Sequence, residues 1–577
     1  MKYLQVILLV AFSITVMAQA LPIAVDENFS DWTSEAQSYT DTQNDGADYD
    51  LLSFSVSNDE DYLYIRFSVA EEVLLNDGHG ITLEIDTDND SETGYLINGI
   101  GAELGWFFGD RFGYFTAPAK SRITVDQGDI GFMALPTVSS VEFEMALDRN
   151  ALLAGDPLFQ SETIKICFYD NADPAGDYMP NEGETFSYTF DDETVIPDPD
   201  LIDLNKENSG HIRLMTYNTL YDGLIDPDRQ DEFQRILQAV SPDIVTFNEC
   251  TDTYPNTVKA LLNEWLPVSG GTWDCIKSDY GNITCSVFPI TDTYRILPGH
   301  RLTAALIDLP EQYGQDLLSI NAHLKCCGGE ENNATRQEEA DAFAAFILDA
   351  KTPGGQYDLP DNTPFVLSGD LNLVGYRQQL TTMTNGDIQD TNNYGEGAPL
   401  DWDNSNLTDL VSHHSDTRFA FTWRDDDSFW PGRLDFTIYS DAVLDVAKAY
   451  TLSTAEMSQE RLETYGLLAN DTEITSDHLP KVTDFVVNGY TATEDIKLGS
   501  KQVKIIPKSY SDNYELISNS SPIQAVKVFN IAGQPVFQKS GIRTMRYELP
   551  LSQHKHGVYI VWVKTESFTG SLKFIYQ

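Results

Sequence analysis

The chain has 577 residues, and at roughly 100–200 residues per domain this length predicts three or four domains and excludes a single core. Hydrophobic residues make up 41% and charged residues 22%, a composition typical of globular chains and too apolar for wholesale disorder. Acidic residues outnumber basic ones by 90 to 36, and the formal charge of -54 excludes a polybasic protein that coats nucleic acid or anionic membranes.

The first twenty residues, 1–20, have the pattern of a secretory signal peptide. Lys2 supplies a positive start, residues 4–16 are almost wholly apolar, and the sequence AQA at 18–20 has the small-x-small form of a cleavage site. We therefore expect the mature chain to begin near Leu21. The alternative, a membrane anchor, needs about 20 apolar residues, and this run is shorter. No later segment approaches that length, so we expect a secreted or surface-attached protein without a stable membrane span.

Residues 21–195 alternate apolar and polar side chains in short runs. Three examples are YLYIRFSV from Tyr62, ITLEI from Ile81 and IKICFY from Ile164. Because alternation with a period of two is typical of half-buried strands, the block is predicted to be an antiparallel β-sandwich. Residues 196–209 carry prolines, acids and polar residues without periodicity, and we interpret them as a linker.

Residues 210–487 alternate between strand and helix patterns. The predicted strands are residues 212–217, 244–247, 317–322, 365–367 and 434–439. The predicted helices are residues 231–240 and 335–350, the second opened by Thr335 with Glu338 three residues later. Such alternation predicts a layered α/β domain.

A second linker, 488–500, precedes a last block at 501–577 that returns to short β patterns. Turn signals occur at residues 532–534 and 556–557. From Lys501 onward there are ten basic and four acidic residues, which leaves 26 basic and 86 acidic residues upstream. The charge thus marks the last block as a separate unit.

Six cysteines occur in the chain, and export would permit disulfides between them. Cys275 and Cys285 are the favoured pair because only nine residues separate them. A zinc site is the alternative, but the sequence has no CxxC pair and no nearby histidine cluster to support it.

Acids, amides and histidines gather in the middle block. They are Asn218, Glu249, His323, Asp370, Asn372, Asp435, Asp477 and His478. Five of them follow or end a predicted strand, where the sites of α/β sheets form, while Asp435 lies within the strand 434–439 and Asp477 and His478 lie in the segment SDHLP. Taken singly, each has a structural explanation, such as a turn residue, a surface charge or a helix cap. The segments that carry them, in order, are MTYNTL, VTFNEC, INAHL, VLSGDLNLV, RLDFTIY and TSDHLP.

This ordered series resembles the motifs of the endonuclease/exonuclease/phosphatase superfamily, the deoxyribonuclease-I-like metal-dependent phosphoesterases. The resemblance covers about 210–487 and implies a four-layered α/β sandwich. Phosphodiesters are anionic, so their hydrolysis needs a hard cation, an activated water and donors for the charge that develops on the phosphoryl oxygens. Carboxylate and amide oxygens suit Mg²⁺, or Mn²⁺ or Ca²⁺ in its place.

The resemblance assigns metal ligation to three residues. Asn218 and Glu249 are the implied oxygen ligands of the principal ion, with Asp477 close to it. Arg336 is a weaker candidate for a phosphate contact, since an arginine fork matches phosphate, and a charge on the helix surface is the alternative.

The same resemblance assigns catalytic roles to five residues. His478 would take the proton from the attacking water, and Asp435 would orient it. His323 would contact the phosphate or help to protonate the leaving oxygen. Asp370 and Asn372 would hold the phosphoryl group or a second ion.

Two departures from the family pattern leave the substrate open. Asn248 stands before the metal-binding glutamate, where glutamine is common, and we expect the change to be tolerated. Cys326 and Cys327 follow His323, and their oxidation would shape the substrate loop.

The first block offers two possible ligand sites. Asp86, Asp88 and Asp90 alternate in an acidic loop, where they would bind a structural Ca²⁺ or form a solvated hairpin. The segments IAVDENFSDW and IDTDNDSETGY resemble family-nine-like sugar-binding modules, which implies a possible glycan ligand. Four aromatic residues are candidates for stacking on sugar, although core packing is favoured for them: Trp106, Phe107, Phe108 and Tyr114.

The last block resembles the C-terminal sorting domain of type IX secretion substrates. The segments VKVFNIAGQPV, GVYIVWV and LKFIY carry the resemblance, and residues 506–508 (IPK) replace the usual Pro-Asn-Pro. It implies a small Ig-like β-sandwich, the type IX machinery as a partner, and a secreted or cell-surface protein.

The leading hypothesis is an extracellular nuclease that acts on DNA or RNA. A sphingomyelinase-like enzyme would need an exposed apolar hairpin, for which residues 429–431 (FWP) are the candidate, and a loop packed near the site is the alternative for this segment. A small-molecule phosphatase and a non-catalytic surface-binding protein are two further hypotheses. The upstream excess of acids gives few cations to grip a polynucleotide.

Overall fold

The structure, a computed structural model, describes residues 20–117, 120–171, 176–425, 428–488, 503–507, 514–518, 521–530, 534–550, 557–565 and 569–576. The predicted signal peptide before Ala20 and residues 489–500 of the second linker lie outside them. The chain divides into two compact units, one of residues 1–309 and 315–488 and the other of residues 310–314 and 489–577. In the described part of the chain, no helix has both the length and the apolarity needed to cross a bilayer.

The first unit begins with a β-sandwich, where the alternating pattern predicts one. Its strands are β1 (Gln37–Thr40), β2 (Leu51–Asn58), β3 (Tyr62–Val73), β4 (Ile81–Asp86), β5 (Tyr95–Ile97), β6 (Ile100–Ala102), β7 (Leu104–Phe107), β8 (Phe112–Phe115), β9 (Ile123–Val125), β10 (Met133–Leu135), β11 (Ser140–Asp148), β12 (Leu152–Leu153), β13 (Asp156–Pro157), β14 (Thr163–Asp170), β15 (Tyr178–Met179) and β16 (Phe186–Thr189). One sheet has the order β1-β2-β3-β11-β10, and the other has the order β15-β14-β4-β7-β8-β9 with β16 paired to β14. Apolar side chains from both sheets fill one core.

Two of the aromatic candidates for sugar binding belong to that core. Trp106 and Phe108 are both fully buried, while Phe107 and Tyr114 are half-buried. Core packing, the favoured interpretation, is therefore correct for Trp106 and Phe108, which are closed to a ligand at the surface.

The rest of the first unit alternates strands and helices. The strands are β17 (Ile212–Asn218), β18 (Ile244–Asn248), β19 (Asp274–Ile276), β20 (Ile283–Ser286), β21 (Ile290–Arg295), β22 (Leu302–Ile307), β23 (Leu317–His323), β24 (Phe365–Asp370), β25 (Thr408–Asp409), β26 (Trp423–Asp425), β27 (Phe429–Gly432), β28 (Asp435–Tyr439), β29 (Leu444–Thr451) and β30 (Lys481–Val487). The helices are α1 (Gln230–Val240), α2 (Pro255–Trp265), α3 (Glu330–Ala350), α4 (Gln378–Asn385), α5 (Thr391–Tyr394), α6 (Gln459–Tyr465) and α7 (Asp471–Thr475). Two six-stranded sheets result, with the orders β19-β20-β18-β17-β30-β29 and β21-β22-β23-β24-β28-β25.

Helices cover the outer face of each six-stranded sheet because their apolar residues recur at helical spacing. In α1 the buried residues are Phe233, Ile236, Leu237 and Val240, and they pack with side chains of β17 and β18. Helices α3 and α4 cover the sheet that contains β23 and β24 in the same way.

Helix α3 begins earlier than its sequence pattern predicts. Gly329, at φ 99°, precedes its first residue, Glu330. The predicted cap, Thr335, lies inside the helix, where its hydroxyl donates to the carbonyl of Glu331 at 3.0 Å. The prediction of a cap at Thr335 is wrong because a glycine in the left-handed region turns the chain into the helix more than one turn sooner.

The inner faces of the two six-stranded sheets meet through polar side chains. The hydroxyls of Thr246 and Ser368 lie 2.9 Å apart, and Asn248 Nδ2 donates to Asn321 Oδ1 at 2.8 Å. All four residues are fully buried. We call Thr246, Asn248, Asn321 and Ser368 the intersheet layer. Since side chains alternate along a strand, their apolar neighbours point outward to the helices.

A disulfide joins Cys275 and Cys285. The two residues face each other across β19 and β20. The predicted pairing is therefore confirmed.

The N-terminal sandwich and the α/β part share buried contacts. Arg433, which is 1% exposed, donates Nε to Glu27 Oε1 at 2.8 Å and Nη2 to Asp409 Oδ2 at 2.8 Å. Trp430 from β27 packs against Phe132 and Trp106 in the sandwich core. The predicted apolar hairpin at 429–431 therefore buries its tryptophan instead of exposing it.

The second unit consists of two small sheets around a core of its own. Its strands are β31 (Val503–Pro507), β32 (Tyr514–Ser518), β33 (Ile523–Asn530), β34 (Pro535–Thr544), β35 (Arg546–Leu549), β36 (Gly557–Thr565) and β37 (Thr569–Tyr576). The sheet orders are β31-β32-β35 and β34-β33-β36-β37. Residues 532, 533 and 556 of the predicted turns lie outside the described residues.

Glu27→Gln tests the buried contact between the two parts of the first unit. It removes one of the two carboxylates that neutralise Arg433, so we expect the free energy of unfolding to fall by about 1–3 kcal/mol. Urea unfolding followed by tryptophan fluorescence measures the loss. In the control Glu142→Gln, the broken pair with Arg66 has side chains 27% and 28% exposed, and the loss should stay below about 1 kcal/mol. Equal losses in the two variants would contradict this account of Arg433.

Candidate active site

The predicted site residues gather because four strands end at the same edge of the two sheets. Strands β17 and β18 run parallel, so that Asn218 pairs with Asn248, and Glu249 follows at once. In the other sheet β23 and β24 are parallel, with His323 beside Asp370. The antiparallel strand β28 places Asp435 opposite Asp370.

Asp370 lies at the centre of this group. Its Oδ2 accepts a hydrogen bond from Asn218 Nδ2 at 3.0 Å and lies 3.4 Å from His323 Nε2 and 3.6 Å from His478 Nε2. Its Oδ1 accepts from the backbone N–H of Asn372 at 3.0 Å. Burial raises the pKa of Asp370 to about 7, although the nearby charge of His478 opposes the rise.

His478 and Asp435 form a buried pair. His478 Nδ1 lies 2.7 Å from Asp435 Oδ2, which fixes the ring and leaves Nε2 facing Asp370 and Asn218. Burial by itself lowers the pKa of His478, but the carboxylates of Asp435 and Asp370 outweigh it and raise the pKa to about 10. The ring is therefore an imidazolium at neutral pH when no other cation is near.

His323 is the second histidine of the site, and its pKa is shifted in the opposite direction, toward a neutral ring. Burial lowers its pKa well below its ordinary value, and the charges of Arg301 and His478 lower it further. Its Nδ1 has no hydrogen-bond partner among the described residues. His323 is thus a neutral ring whose Nε2 faces Asp370, while its unpaired Nδ1 is buried.

The predicted metal ligands are joined by the amide of Asn218. Its Nδ2 donates to Glu249 Oε1 at 3.2 Å as well as to Asp370, and its Oδ1 accepts from the N–H of Leu220 at 3.0 Å. Glu249 adopts a left-handed φ of 57°, and its Oε2 accepts from the N–H of Tyr221 at 2.8 Å. This turn directs the carboxylate back toward the end of β17.

Asp477 is less directly connected to the other predicted ligands. Its Oδ2 accepts from Trp423 Nε1 at 3.0 Å. Ser476 lies between it and Asn218: the Ser476 hydroxyl donates to the Asn218 carbonyl at 2.8 Å, and the same oxygen lies 3.4 Å from Asp477 Oδ1. The structure thus brings Asn218 and Glu249 together with Asp370 more closely than with Asp477.

The donor set at this edge fits a hard cation. Glu249 and Asp370 supply carboxylate oxygens and Asn218 supplies an amide, the ligand types that Mg²⁺, Mn²⁺ and Ca²⁺ prefer. If one cation is shared by Asn218 and Glu249, the side-chain amide of Asn218 must flip, so that Oδ1 instead of Nδ2 faces the Glu249 carboxylate.

Arg336 is not available to a phosphate. It is fully buried, and its guanidinium donates to the carbonyls of Lys325 and Cys327 at 2.6 and 2.8 Å. Further donors reach Asn333 and Gln379. Both interpretations of the sequence, a phosphate contact and a charge on the helix surface, are at odds with this placement, because the side chain faces the loop after His323 and not solvent.

The acidic loop after β4 gathers a different trio from the one predicted. Ligand atoms of Asp86, Asp88 and Glu103 lie within 4.8 Å of one another, and Asp90 is absent from the group. Asp90 Oδ1 instead accepts from the N–H of Glu92 at 3.0 Å. Lys165 Nζ lies 2.9 Å from Asp86 Oδ2 and already neutralises part of the cluster. Glu103 is too far along the chain for a spacing rule to find it.

Sequence reasoning also missed the amides beneath the site. Asn248 Nδ2 donates to Asn282 Oδ1 and Asn321 Oδ1, and Asn248 Oδ1 accepts from the N–H of Asp370 at 3.0 Å. The asparagine that departs from the family pattern therefore connects both sheets directly to Asp370. Its position before Glu249 was the only signal in the sequence.

Two parts of the chain match known families. Residues 215–478 match the Endonuclease/Exonuclease/phosphatase family, so the chain carries a domain of this class, whose members are hydrolases that act on phosphoesters. Residues 504–577 match the Secretion system C-terminal sorting domain. This tail directs the protein through type IX secretion to the cell surface or the extracellular space.

Several solved structures are similar to the chain. Humanised D. rerio TDP2 with 14 mutations is 15% identical, with 48% of this chain and 100% of that chain covered and a TM-score of 0.30. The human Nocturnin catalytic domain with bound sulfate is 18% identical, with 50% and 97% covered and a TM-score of 0.31. Sphingomyelinase C from Streptomyces griseocarneus is 15% identical, with 48% and 99% covered and a TM-score of 0.29. A search of the curated proteins found no match.

Asp435→Asn tests the buried pair through the pH dependence of stability. A folded-state pKa near 10 for His478 lies above the ordinary value of 6.5. The pair therefore stabilises the fold fully below about pH 6.5 and loses this contribution as the pH rises through about 10. Urea unfolding in EDTA should show a larger deficit for Asp435→Asn at about pH 6 than at about pH 10.

Asp445→Asn, on the exposed side of β29, is the matched control and should show no such trend. A deficit in Asp435→Asn that is independent of pH would mean that His478 is not charged in the folded protein.

Proposed function

We propose that the protein is a secreted, divalent-metal-dependent phosphoesterase that hydrolyses phosphodiester bonds, with extracellular nucleic acid as the leading substrate. The observation that carries the proposal is the convergence of Asp370, Asn218, His323 and the His478–Asp435 pair at one sheet edge. The match to a family of phosphoester hydrolases and the secretion tail support it.

In this proposal His478 is the general base. Its Nε2 takes the proton of the attacking water, and Asp435, 2.7 Å from Nδ1, holds the ring in place and stabilises the imidazolium that forms. His323 contacts the phosphoryl or leaving oxygen through Nε2, the ring nitrogen that lies 3.4 Å from Asp370 Oδ2. Asp370 and Asn372 position the phosphoryl group beside these two rings.

Asn218 and Glu249 are the proposed metal ligands, with Asp477 at the periphery. Mg²⁺ is the leading candidate, and Mn²⁺ or Ca²⁺ are the alternatives. When bound, the ion supplies positive charge that polarises the phosphoester, acidifies water and lowers the pKa of His478 into the range of a working base. The chain's own part is to hold the carboxylates of Glu249, Asp370, Asp435 and Asp477 at one edge of the two sheets.

The exposed surface beside Glu249 favours a nucleotide-containing substrate. Tyr221 is 81% exposed, and its N–H donates to Glu249 Oε2. Tyrosine rings stack on bases without sequence preference, so Tyr221 offers a platform for a base beside the proposed metal ligands. Burial of Trp430 weakens the sphingomyelinase alternative, since only Phe429 of the candidate hairpin is exposed, at 37%.

The finer description of the fold is also a proposal. We assign a signal peptide to 1–20, a carbohydrate-module-like sandwich to 21–195, a four-layered α/β domain to 210–487 and an Ig-like sorting domain to 501–577, with linkers at 196–209 and 488–500. Helices on the outer faces of two packed sheets support the four layers. A glycan ligand for the sandwich has no support among the described contacts.

Activity assays on the mature protein test the function. We expect hydrolysis of plasmid DNA or RNA that is lost in EDTA and restored by Mg²⁺, Mn²⁺ or Ca²⁺. His478→Ala should lower kcat by about 10²–10⁴ with little change in KM, because only proton transfer is lost. Glu249→Ala should instead recover part of its rate at high metal concentration.

His413→Ala is the matched control because this histidine pairs with Asp26 outside the site, and it should keep full activity. Hydrolysis of sphingomyelin or of a small phosphomonoester alone would replace the proposed substrate. No turnover on any of these substrates would favour the non-catalytic surface-binding protein.

A further inference from the structure

A second acidic cluster lies in the N-terminal sandwich, apart from the active site and from the loop after β4. Ligand atoms of Asp41, Asp45 and Asp177 lie within 4.8 Å of one another. Asp41 directly follows β1, whereas Asp177 directly precedes β15 in the other sheet. Among the described residues, none of the three is paired with a lysine, arginine or histidine. The cluster thus gathers carboxylates from two sheets with no cation to balance them.

Asp41 makes the cluster costly in the absence of a ligand. The residue is 6% exposed, and neither of its carboxylate oxygens has a hydrogen-bond partner among the residues that the structure describes. Asp177 is 4% exposed, and its Oδ2 accepts from the N–H of Leu51 at 2.7 Å. Burial, with repulsion from Asp177 and Asp45, raises the pKa of Asp41 to about 7. A buried carboxylate in this position needs a proton or a cation.

The loop that carries Asp45 is held in place by its own hydrogen bonds. Asp50 accepts from the backbone N–H groups of Asn44 and Asp45 at 3.0 and 3.1 Å. The third ligand is therefore held beside the other two before any ion binds, which reduces the entropy lost on binding.

We propose that Asp41, Asp45 and Asp177 bind one Ca²⁺ ion that links the two sheets of the sandwich. Ca²⁺ takes about 6–8 oxygen ligands in flexible geometry, so three carboxylates with water or carbonyl oxygens complete a shell, and a geometry this open suits Ca²⁺ better than Mg²⁺. The cluster at Asp86 differs because Lys165 already supplies a positive charge there. The site is independent of the catalytic proposal, because none of its residues belongs to the α/β domain.

Asp41→Asn tests the site by a change of sign in thermal stability. Without Ca²⁺, the variant should melt at a higher temperature than the wild type, because it removes an uncompensated buried charge. With saturating Ca²⁺ it should melt at a lower temperature, because only the wild type gains the bound ion. Calorimetric titration with Ca²⁺ should find one ion fewer per chain in Asp41→Asn than in the wild type.

Asp88→Asn in the other cluster is the matched control and should keep the Ca²⁺ response that Asp41→Asn loses. Asp177→Asn serves as a second variant if Asp41→Asn does not fold. The proposal would be overturned if Asp41→Asn and Asp177→Asn showed the same Ca²⁺-induced rise in melting temperature and the same number of bound ions as the wild type. It would also be overturned if the wild type melted at the same temperature with and without Ca²⁺. Neither readout depends on catalysis.

A different observation concerns the loop between His323 and α3. Cys327 Sγ lies 2.8 Å from Cys326 Sγ, closer than two sulfur atoms pack without bonding. Cys327 is exposed and adopts φ 76°, in the left-handed region that a non-glycine residue seldom occupies. Arg336 holds the carbonyls on either side, those of Lys325 and Cys327. The chain thus presses two adjacent thiols together at the surface.

We infer that Cys326 and Cys327 form a vicinal disulfide in the secreted protein. Both thiols lose their protons, a sulfur–sulfur bond forms between them, and a disulfide oxidant such as oxidised glutathione is reduced to two thiols. The closed ring contains and fixes the peptide bond between Cys326 and Cys327, shortly after the end of β23 at His323. The loop next to His323 then has a single shape.

Mass spectrometry tests the bond on the full mature chain after exposure to oxidised glutathione. The peptide that contains residues 326–327 should lack two hydrogen atoms and resist alkylation until a reductant is added. Alkylation of both thiols without a reductant, or a stable glutathione adduct on either, would overturn the inference.

A second arm rests on the proposed function. Reduction should change the KM of the wild type but not that of a double variant Cys326→Ser with Cys327→Ser, which retains the disulfide at Cys275. If mass spectrometry detects the vicinal disulfide but its reduction leaves the KM of the wild type unchanged, only the role of the loop in substrate binding is refuted.

Discussion

The geometry of the site depends on one buried amide, that of Asn248. Its nitrogen donates to Asn282, just before β20, and to Asn321 in β23 of the other sheet, and its oxygen accepts the N–H of Asp370. Unlike apolar contacts, these bonds have direction, so they fix the register of one sheet on the other and not merely their distance. A buried layer of polar side chains lowers the stability of the fold unless every polar group is paired. In the intersheet layer, the bond from Asn248 to the backbone of Asp370 fixes the position of that carboxylate.

The sandwich is part of the same construction. Glu144 accepts the N–H groups of Asp26 and Glu27 at 2.6 Å each and so sets the turn from which Glu27 reaches Arg433. Arg433 lies two residues before Asp435, the partner of His478. The residue that anchors the sandwich is thus on the same short segment as the partner of the proposed base. The N-terminal block therefore supports the site physically, whatever it binds at its own surface.

Much of this architecture is readable from local patterns. Period-two alternation located β3, β4 and β14, and helical spacing located α1, because both depend on neighbours in sequence. The disulfide followed from short spacing. The candidate site residues followed from the order of six short motifs and their resemblance to a known family, since a strand-end position alone also fits a turn residue or a surface charge. The predictions that failed concern side chains whose surroundings come from distant parts of the chain. Arg336 is buried by the loop whose carbonyls it binds, and Trp430 is buried in the core of the N-terminal sandwich. Glu103 joins the cluster of Asp86 and Asp88 from a different loop. No spacing rule reaches such partners.

The burial of Trp430 also bears on the order in which the molecule is completed. Trp430 contacts Trp106 across 324 positions of the chain, so a notch in the sandwich core stays open to water until the hairpin of β26 and β27 has been synthesised. Such a long loop must close before its contact adds stability, which delays the last step of assembly. The earliest domain made by the ribosome is therefore finished by one of the latest segments to leave it, and an interrupted chain would carry an exposed aromatic surface.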